Sequence, residues 1–492
     1  MGRRPITEPF FFILIPIFFV LHGCSENFGF IGIGDAFLLI SIYVLVALML
    51  FALFFFFFRN KTRAALIAGY LIAIYLFFGY LKDFLKIHFP GISKYVVLLT
   101  ILLISVVILI TFLAKTKRNF SRIVMYLNLV LSIFVVIDVA SITIKTLNPP
   151  ADKFSIFPVL NNKKNIISDA EKPDIYFLIF DEYASSVALK ENYNFENDLD
   201  SFLDQKGFQI QKGSFSNYNF TPFSMASTLN MSYLNGIQNN EKVTIDDYGY
   251  CHKLISNNEV IRFLSANGYE IFNYSIFDLK GNPSPVNQTL LPLKTRLITD
   301  NTLFSRIMKD MSWIFYAGRF AIKSLAIKRL LLIDQSNNAS IDSVLHRSLK
   351  ISRKPTFVYA HLFMPHAPFF YNKNGTMRNL DTVGSESVDR IDAYLGYLQY
   401  ANKKIEDLIT QIQNNTRNNA VIILMGDHGF RRQVLKHDSY QNMNAVFFPK
   451  KNYGPLYDSI SNVNQFRAIF NGLFKQTFAL LKDSTIYLDI PH

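Results

Sequence analysis

The 492-residue chain is poor in cysteine and charge. It contains only Cys24 and Cys251, which lie far apart, so a disulfide framework or a cysteine metal site is excluded. Charged residues make up 18% of the chain, and basic residues outnumber acidic ones by 50 to 37, a net charge of +13. A basic excess can indicate nucleic-acid binding. Here the basic residues flank apolar runs, which favours membrane topology signals and no nucleic-acid partner.

The first 147 residues are dominated by Phe, Leu, Ile and Val, and they predict a transmembrane domain. The run from Phe54 to Phe58 is apolar on every side of a helix, which suits lipid better than a half-buried surface. A spanning helix needs about 20 apolar residues. Five segments approach that length: 8–22, 36–58, 64–81, 94–114 and 122–144.

Basic residues between these segments predict the orientation of the chain. One side carries nine: Arg3, Arg4, Arg59, Lys61, Arg63, Lys115, Lys117, Arg118 and Arg122. The opposite side carries only Lys82, Lys86 and Lys94. The positive-inside rule then places the N-terminus in the cytoplasm. Five crossings would leave everything after Lys145 outside, as a periplasmic or extracellular domain of a multi-pass bacterial membrane protein.

Two alternatives concern the membrane part. Leu21-His22-Gly23-Cys24 faintly resembles a lipoprotein processing site, although His before Gly is atypical. A transporter would need polar residues inside several helices, and these are scarce. Asp138 is the clearest exception; an interfacial position near the outer end of its segment is the simpler interpretation.

Residues 148–172 predict a polar linker, and residues 173–492 predict a separate α/β domain. Apolar runs of strand length at 175–180, 269–276, 356–362 and 420–425 alternate with helical patterns. One helix is expected after a capping box at 256–259, and another over 387–413. This alternation predicts a mostly parallel sheet with helices on both faces.

The residues with acidic and imidazole side chains, which can bind a metal or take part in catalysis, lie at the strand ends. The first strand runs into Asp181-Glu182, the strand from Thr356 into His361 and then His366, and the last into Asp427-His428. Ligands bind beyond the carboxyl ends of such strands. Carboxylates and imidazoles converging there are typical of a metal site.

These motifs resemble the alkaline phosphatase and sulfatase superfamily, over about residues 172–450. The most similar branches are the lipoteichoic-acid synthases and phosphoethanolamine transferases, which also carry five N-terminal membrane helices. The resemblance implies an alkaline-phosphatase-like domain and a divalent metal ion, whether Mn, Zn, Mg or Ca. It implies Asp181, Thr221, Asp427 and His428 as metal ligands, with Glu182 at a second acidic position.

The segment from Phe220 to Ser227 resembles the family's nucleophile segment. Thr221 stands three residues before Ser224-Met225-Ala226, where sulfatases have a Cys or Ser before Ser-Arg-Ala. A Thr nucleophile is what the two membrane-anchored branches use, so formylglycine chemistry is not expected. Ser224, Ser227 and Thr228 fit the spacing less well.

Three histidines complete the expected site. Pro365-His366-Ala367-Pro368 matches a sulfatase pattern, which implies that His366 contacts the transferred group or protonates the leaving group. His361 and His437 are secondary candidates for substrate binding. The segment 285–350 matches no motif and is expected to hold a substrate-specific insertion.

The resulting hypothesis is a phospho-group transferase that uses Thr221 and acts on a membrane lipid or a lipid-linked glycan. A hydrolase of the same fold, with water as acceptor, remains an alternative. A non-catalytic, membrane-anchored binding protein is a second alternative, although the four principal site residues are all present.

Overall fold

The computed structural model describes residues 8–148, 155–156, 172–285, 295–310, 322–385, 390–431, 439–451 and 453–489. The chain divides into two compact units. The first contains residues 1–151 together with 289–318, and the second contains 152–288 with 319–492.

Five apolar helices form most of the first unit, as expected from the sequence. Four of them are long and apolar enough to cross a membrane. The first has 16 residues, and at a rise of 1.5 Å per residue it spans about 24 Å of a hydrocarbon layer of about 30 Å. The helices are α1 (Phe11–Glu26), α2 (Ile33–Phe58), α3 (Lys61–His88), α4 (Tyr95–Lys115) and α5 (Ser121–Leu147).

The short helix α1 lies at the centre of this unit. It packs against α2, α3 and α5, and its side chains Phe11, Phe19 and Val20 are buried. Helices α2, α4 and α5 instead expose many large apolar side chains, as lipid-facing helices do. Asp138 is buried between helices, where its Oδ1 lies 3.2 Å from Nδ1 of His22.

Residues 295–310 also belong to the first unit, although the sequence assigned them to the C-terminal domain. They form α11 (Arg296–Thr299) and α12 (Leu303–Asp310). Ile298 joins the apolar core of the membrane helices, where a side chain at Gly23 would come within 2.7 Å of it. Arg306 Nη2 lies 2.6 Å from Asp83 Oδ2, and the Tyr95 hydroxyl donates to the Arg306 carbonyl at 2.9 Å.

The second unit is built on a six-stranded, mostly parallel sheet, which confirms the expected fold class. The strand order is β2-β7-β6-β1-β5-β4; the four strands β6, β1, β5 and β4 run parallel, and β7 and β2 join with antiparallel pairing. The strands are β1 (Ile175–Phe180), β2 (Gln209–Ile210), β4 (Glu270–Tyr274), β5 (Thr356–Leu362), β6 (Val421–Met425) and β7 (Asn444–Phe447). A separate pair joins β3 (Glu241–Lys242) to β8 (Leu488–Asp489).

Strands β1, β5 and β6 are buried along their whole length. Such strands read as continuous apolar runs because both faces of a parallel sheet are covered. The helices of this unit are α6 (Ser186–Tyr193), α7 (Leu199–Gln205), α8 (Thr221–Asn230), α9 (Ile245–Ser256), α10 (Glu259–Ala266), α13 (Ile322–Ser348), α14 (Leu380–Ser385), α15 (Ile391–Asn415) and α16 (Asn462–Phe474).

The expected capping box at 256–259 is wrong, although the helix after it exists. Ser256 is the last residue of α9, and the N-cap of α10 is Asn258, whose side chain accepts from the N–H of Ile261. The Ser-x-x-Glu pattern overlaps the end of one helix and the start of the next. A genuine capping box opens α9, where Thr244 and Asp247 exchange side-chain and backbone hydrogen bonds.

Candidate active site

Strand register brings three candidate ligands to the same edge and face of the sheet. Ile179 of β1 pairs with His361 on one side and with Met425 on the other. Side chains alternate along a strand, so Asp181 and Asp427, each two residues further on, continue that face. Carboxylates from β1 and β6 therefore meet an imidazole from β5.

The resulting cluster is buried. One potential ligand atom from each of Asp181, His361 and Asp427 lies within 4.8 Å of the other two. His361 Nε2 is 3.5 Å from Asp181 Oδ2. His428 Nε2 is 3.3 Å from Asp427 Oδ2 and 3.9 Å from Asp181 Oδ1. The structure thus brings together the expected ligands Asp181, Asp427 and His428, and it adds His361, which the sequence assigned to substrate binding.

Thr221 lies beside this cluster as the first residue of α8. Pro222 follows it in the first helical turn, where a missing N–H costs nothing. Thr221 Oγ1 is 3.1 Å from His428 Nε2. The other ring nitrogen of His428 donates to the Gly429 carbonyl at 2.8 Å. In the neutral ring, Nε2 is therefore an acceptor that faces the threonine hydroxyl.

The neighbouring hydroxyls of α8 have structural partners. Ser224 donates to the Asp427 carbonyl at 2.6 Å, Ser227 to Ser232 O at 2.8 Å, and Thr228 to Ser224 O at 2.8 Å. Thr221 differs from them because its hydroxyl faces an imidazole and not a backbone carbonyl. Among these four hydroxyls, the one of Thr221 is therefore the one directed at the cluster of ligating side chains.

The imidazoles around Asp181 control its ionisation. Burial raises the pKa of this carboxyl, but its electrostatic interaction with the imidazoles of His366, His361 and His428 outweighs burial. The pKa of Asp181 consequently lies well below its usual range. A carboxyl with such a pKa is ionised at neutral pH, as a metal ligand must be.

Glu182 lies next to the cluster but is engaged by an arginine. Its Oε1 accepts from the Arg431 backbone N–H at 3.0 Å and from Arg431 Nε at 3.2 Å. Glu182 has a φ of 64°, a strained conformation for a residue with a side chain. In this conformation its own N–H donates to Asp427 Oδ1 at 3.0 Å.

His366 is at the rim of the site, and both of its ring nitrogens are occupied. Nδ1 donates to the Ala367 carbonyl at 2.5 Å, and Nε2 accepts from Arg431 Nη2 at 2.9 Å. In this arrangement the neutral ring has no proton directed at a substrate. The structure thus favours His366 as a partner of Arg431. His437 lies outside the described residues.

A family model described as Sulfatase matches residues 180–458, more than half of the chain. The chain belongs to the sulfatase family. A search of curated protein sequences found no significant match.

Several solved structures resemble this sulfatase-family chain. The integral membrane protein lipooligosaccharide phosphoethanolamine transferase A of Neisseria meningitidis matches with a TM-score of 0.38 and 13% identity, covering 94% of each chain. The C-terminal periplasmic domain of EcEptC from Escherichia coli gives a TM-score of 0.39 and 11% identity, over 65% of this chain and 86% of that chain. Phosphonate monoester hydrolase of Agrobacterium radiobacter gives 0.37 and 10%, over 61% and 73%.

The sulfatase superfamily generally uses a divalent metal, and the residues of this chain fit one. Within this cluster, three buried polar atoms have no hydrogen-bond partner among the described residues: Asp181 Oδ1, Asp427 Oδ2 and His361 Nε2. Each such atom costs about 1–3 kcal/mol when left unsatisfied. All three belong to the one cluster of ligating side chains found among the described residues. Two carboxylates and an imidazole suit a divalent cation.

The sulfatase-family site also depends on polar residues that the sequence analysis did not identify. Asn442 Nδ2 donates to the Gly426 carbonyl at 2.5 Å, and Asn462 Nδ2 donates to the Asp427 carbonyl at 3.1 Å. The Tyr394 hydroxyl donates to the Glu182 carbonyl at 2.9 Å. These residues fix the two loops that present the carboxylates, but isolated Asn and Tyr residues carry no periodic signal in a sequence.

Proposed function

We propose that this sulfatase-family protein is a metal-dependent phospho-group transferase that acts on lipid-linked or cell-envelope substrates through Thr221. The observation that carries this proposal is the position of the Thr221 hydroxyl. It lies 3.1 Å from His428 Nε2, beside a buried group of ligating atoms that have no partner. A hydroxyl, a metal site and a helix N-terminus in one place suit phosphoryl transfer.

Asp181, His361 and Asp427 would hold the cation, with His428 and Thr221 facing it. When bound, the cation would lower the pKa of the hydroxyl and neutralise charge on a phosphoryl oxygen.

The transfer proceeds in two displacements. Thr221 Oγ1 forms a bond to phosphorus while the bond from phosphorus to the leaving alcohol breaks. The hydroxyl proton ends on that leaving alcohol, and the phospho group remains on Thr221. An acceptor alcohol then attacks phosphorus, releases the threonine oxygen and gives up its own proton to it. The phospho group is then held at the N-terminus of α8, where the helix dipole favours a negative charge.

The membrane helices support a lipid-linked substrate. A membrane anchor confines the site to the bilayer surface and raises its effective concentration toward lipids, whereas a water-soluble substrate would gain little. The distribution of basic residues supports a periplasmic or extracellular position for the catalytic domain. Labelling of a cysteine introduced at exposed Arg417 with a membrane-impermeant reagent tests that orientation in intact cells.

The nucleophile is tested on the full chain in nanodiscs with bis(p-nitrophenyl) phosphate. Thr221→Ala should lower turnover by about 1,000-fold or more, and intact-mass measurement after exposure to a phospholipid extract should lose the adduct seen on the wild type. Thr228→Ala is the matched control, because its hydroxyl lies in the same helix and donates to a backbone carbonyl. Full turnover by Thr221→Ala with metal present would refute the proposal.

An acceptor assay separates the transferase from the alternatives. With a labelled lipid donor, a transferase releases label in proportion to an added glycan or lipid acceptor. A hydrolase releases the same label with water alone. A binding protein gives neither an adduct nor a release.

A further inference from the structure

Arg431 lies at the rim of the active site and has no role in the reaction described above. Its side chain is 25% exposed. The Nε atom donates to Glu182 Oε1 at 3.2 Å, and Nη2 donates to His366 Nε2 at 2.9 Å. Its guanidinium carbon lies 5.5 Å from the ring centroid of Phe220, the residue directly before Thr221. Three contacts therefore fix the guanidinium, one of them with the residue that precedes Thr221.

Part of this guanidinium remains available. An arginine side chain carries five N–H donors. One is used by Glu182 and one by His366, and the described residues accept no hydrogen bond from the other three. A planar group with neighbouring free N–H donors matches two oxygens of a phosphate or phosphodiester.

The charges of the site favour this role. An arginine guanidinium is a permanent positive charge at physiological pH. At Arg431 the neighbouring carboxylate of Glu182 stabilises that charge. Glu182 balances it directly, while Asp181 and Asp427 retain the unpartnered oxygens that suit a divalent cation.

We propose that Arg431 is a substrate-binding residue whose free N–H groups bind non-bridging oxygens of the phospho group accepted by Thr221. Glu182 and His366 are positioning residues that hold the guanidinium in place. This inference rests on the proposed function, because it assigns the second source of positive charge at the same phosphorus. It also makes Glu182 a partner of Arg431 and not a ligand of the cation.

The test measures binding of inorganic phosphate to the metal-loaded full chain by calorimetry. Arg431→Gln should weaken phosphate binding about 10- to 100-fold, as expected for the loss of charge-assisted hydrogen bonds. Its metal content should stay at the wild-type value. Arg431→Lys should give an intermediate affinity, because it keeps the charge and loses the paired geometry. KM for bis(p-nitrophenyl) phosphate should rise most in Arg431→Gln and less in Arg431→Lys.

Arg262→Gln is the matched control. Arg262 also pairs with a glutamate, Glu259, but on helix α10. Its substitution should change neither phosphate affinity nor metal content. Melting temperatures of all variants identify any that fail to fold, and Arg431→Lys then carries the test.

Glu182→Gln separates the two roles of the carboxylate. It should retain metal and weaken phosphate binding less than Arg431→Gln does. Loss of metal from Glu182→Gln to the same extent as from Asp427→Asn would overturn the assignment of Glu182.

Phosphate affinity within twofold of wild type in Arg431→Gln would overturn the role of Arg431. Neither result depends on turnover, so the inference can fail while the Thr221 experiment succeeds. The reverse also holds.

Discussion

A buried amide in the membrane unit and a buried cluster of ligating side chains in the sulfatase-family unit serve different ends. In the membrane unit, Asn128 of α5 is 1% exposed and its amide is fully engaged. Its Oδ1 accepts from the N–H groups of Phe10 and Phe11, at 3.3 and 2.8 Å, and its Nδ2 donates to Glu8 O at 2.8 Å. Asn128 therefore caps the start of α1 from another helix and satisfies N–H groups that have no partner within α1.

In the sulfatase-family unit, the polar atoms that converge at the ends of β1, β5 and β6 are left unsatisfied. The rest of the fold offsets the free-energy penalty of leaving these atoms unsatisfied, and one ligand can satisfy all of them at once. A buried polar group that is fully paired thus indicates structure, whereas several unpaired groups aimed at one point indicate a site. The contrast can be tested at both places.

The largest effect is expected at the metal cluster. Asp427→Asn removes one of two carboxylates from the site and leaves a neutral amide at the position of Oδ2. The full chain should then lose its bound metal, which inductively coupled plasma mass spectrometry measures. Turnover should fall about 1,000-fold or more. Asn128→Asp, which changes an amide to a carboxylate in the other unit, should keep the metal. Metal retained by Asp427→Asn would show that the unpaired atoms serve another purpose.

A smaller but still large effect is expected at Gly426, next to the cluster. A Cβ at this position would lie 2.6 Å from the Tyr183 carbonyl oxygen, and backbone cannot yield easily. Gly426→Ala should therefore lower the free energy of unfolding by about 2–4 kcal/mol.

Gly396→Ala is the control for Gly426→Ala in the same unit. Gly396 lies inside α15, where a Cβ would meet only the Lys373 nitrogen at 3.9 Å. A helical Gly→Ala change should stabilise by about 0.5–1 kcal/mol. Thermal unfolding of the full chain should show a lower stability for Gly426→Ala and a higher stability for Gly396→Ala.

The smallest effect is expected at the ion pair of the membrane unit. Asp83 and Arg306 are 50% and 17% exposed, so water screens their attraction. A double-mutant cycle with Asp83→Asn and Arg306→Gln should give a coupling of about 0.5–1 kcal/mol in thermal unfolding. A coupling near zero would mean that other contacts hold residues 295–310 in place.

Gly79 provides the sharper test of that docking. Its N–H donates to the Asn301 carbonyl at 2.7 Å, and a Cβ would lie 2.8 Å from Asn301 Cα. Gly79→Ala should therefore disturb the segment more than loss of the ion pair.

The sequence predicted the sheet well because its strands are buried on both faces. The bounds of β1 and β5 match the apolar runs, and β6 begins one residue later than expected. The same alternation could have identified His361 as a neighbour of Asp181, because parallel register places it beside Ile179. That inference needed the strand order, which periodicity alone does not provide.

Other parts of the site depended on tertiary contacts that no local pattern encodes. Glu182 adopts a positive φ only because the Tyr394 hydroxyl and Asp427 hold its backbone. Arg431 follows the Asp-His motif by a few residues, and no pattern in the surrounding sequence predicts its contact with Glu182. The docking of residues 295–310 on the membrane helices was equally hidden, since their composition is ordinary for a soluble domain.

The docking of residues 295–310 on the membrane helices affects how the protein can be divided into separate domains. A shortened version that begins at the linker would carry residues 295–310 without α1, α3 and α4. Ile298, which is 2% exposed in the intact protein, would then meet solvent, and Arg306 would lose Asp83. Preparations of the catalytic half for crystallisation or calorimetry should therefore omit this stretch or keep detergent present, because the boundary between the halves is not a single cut in the chain.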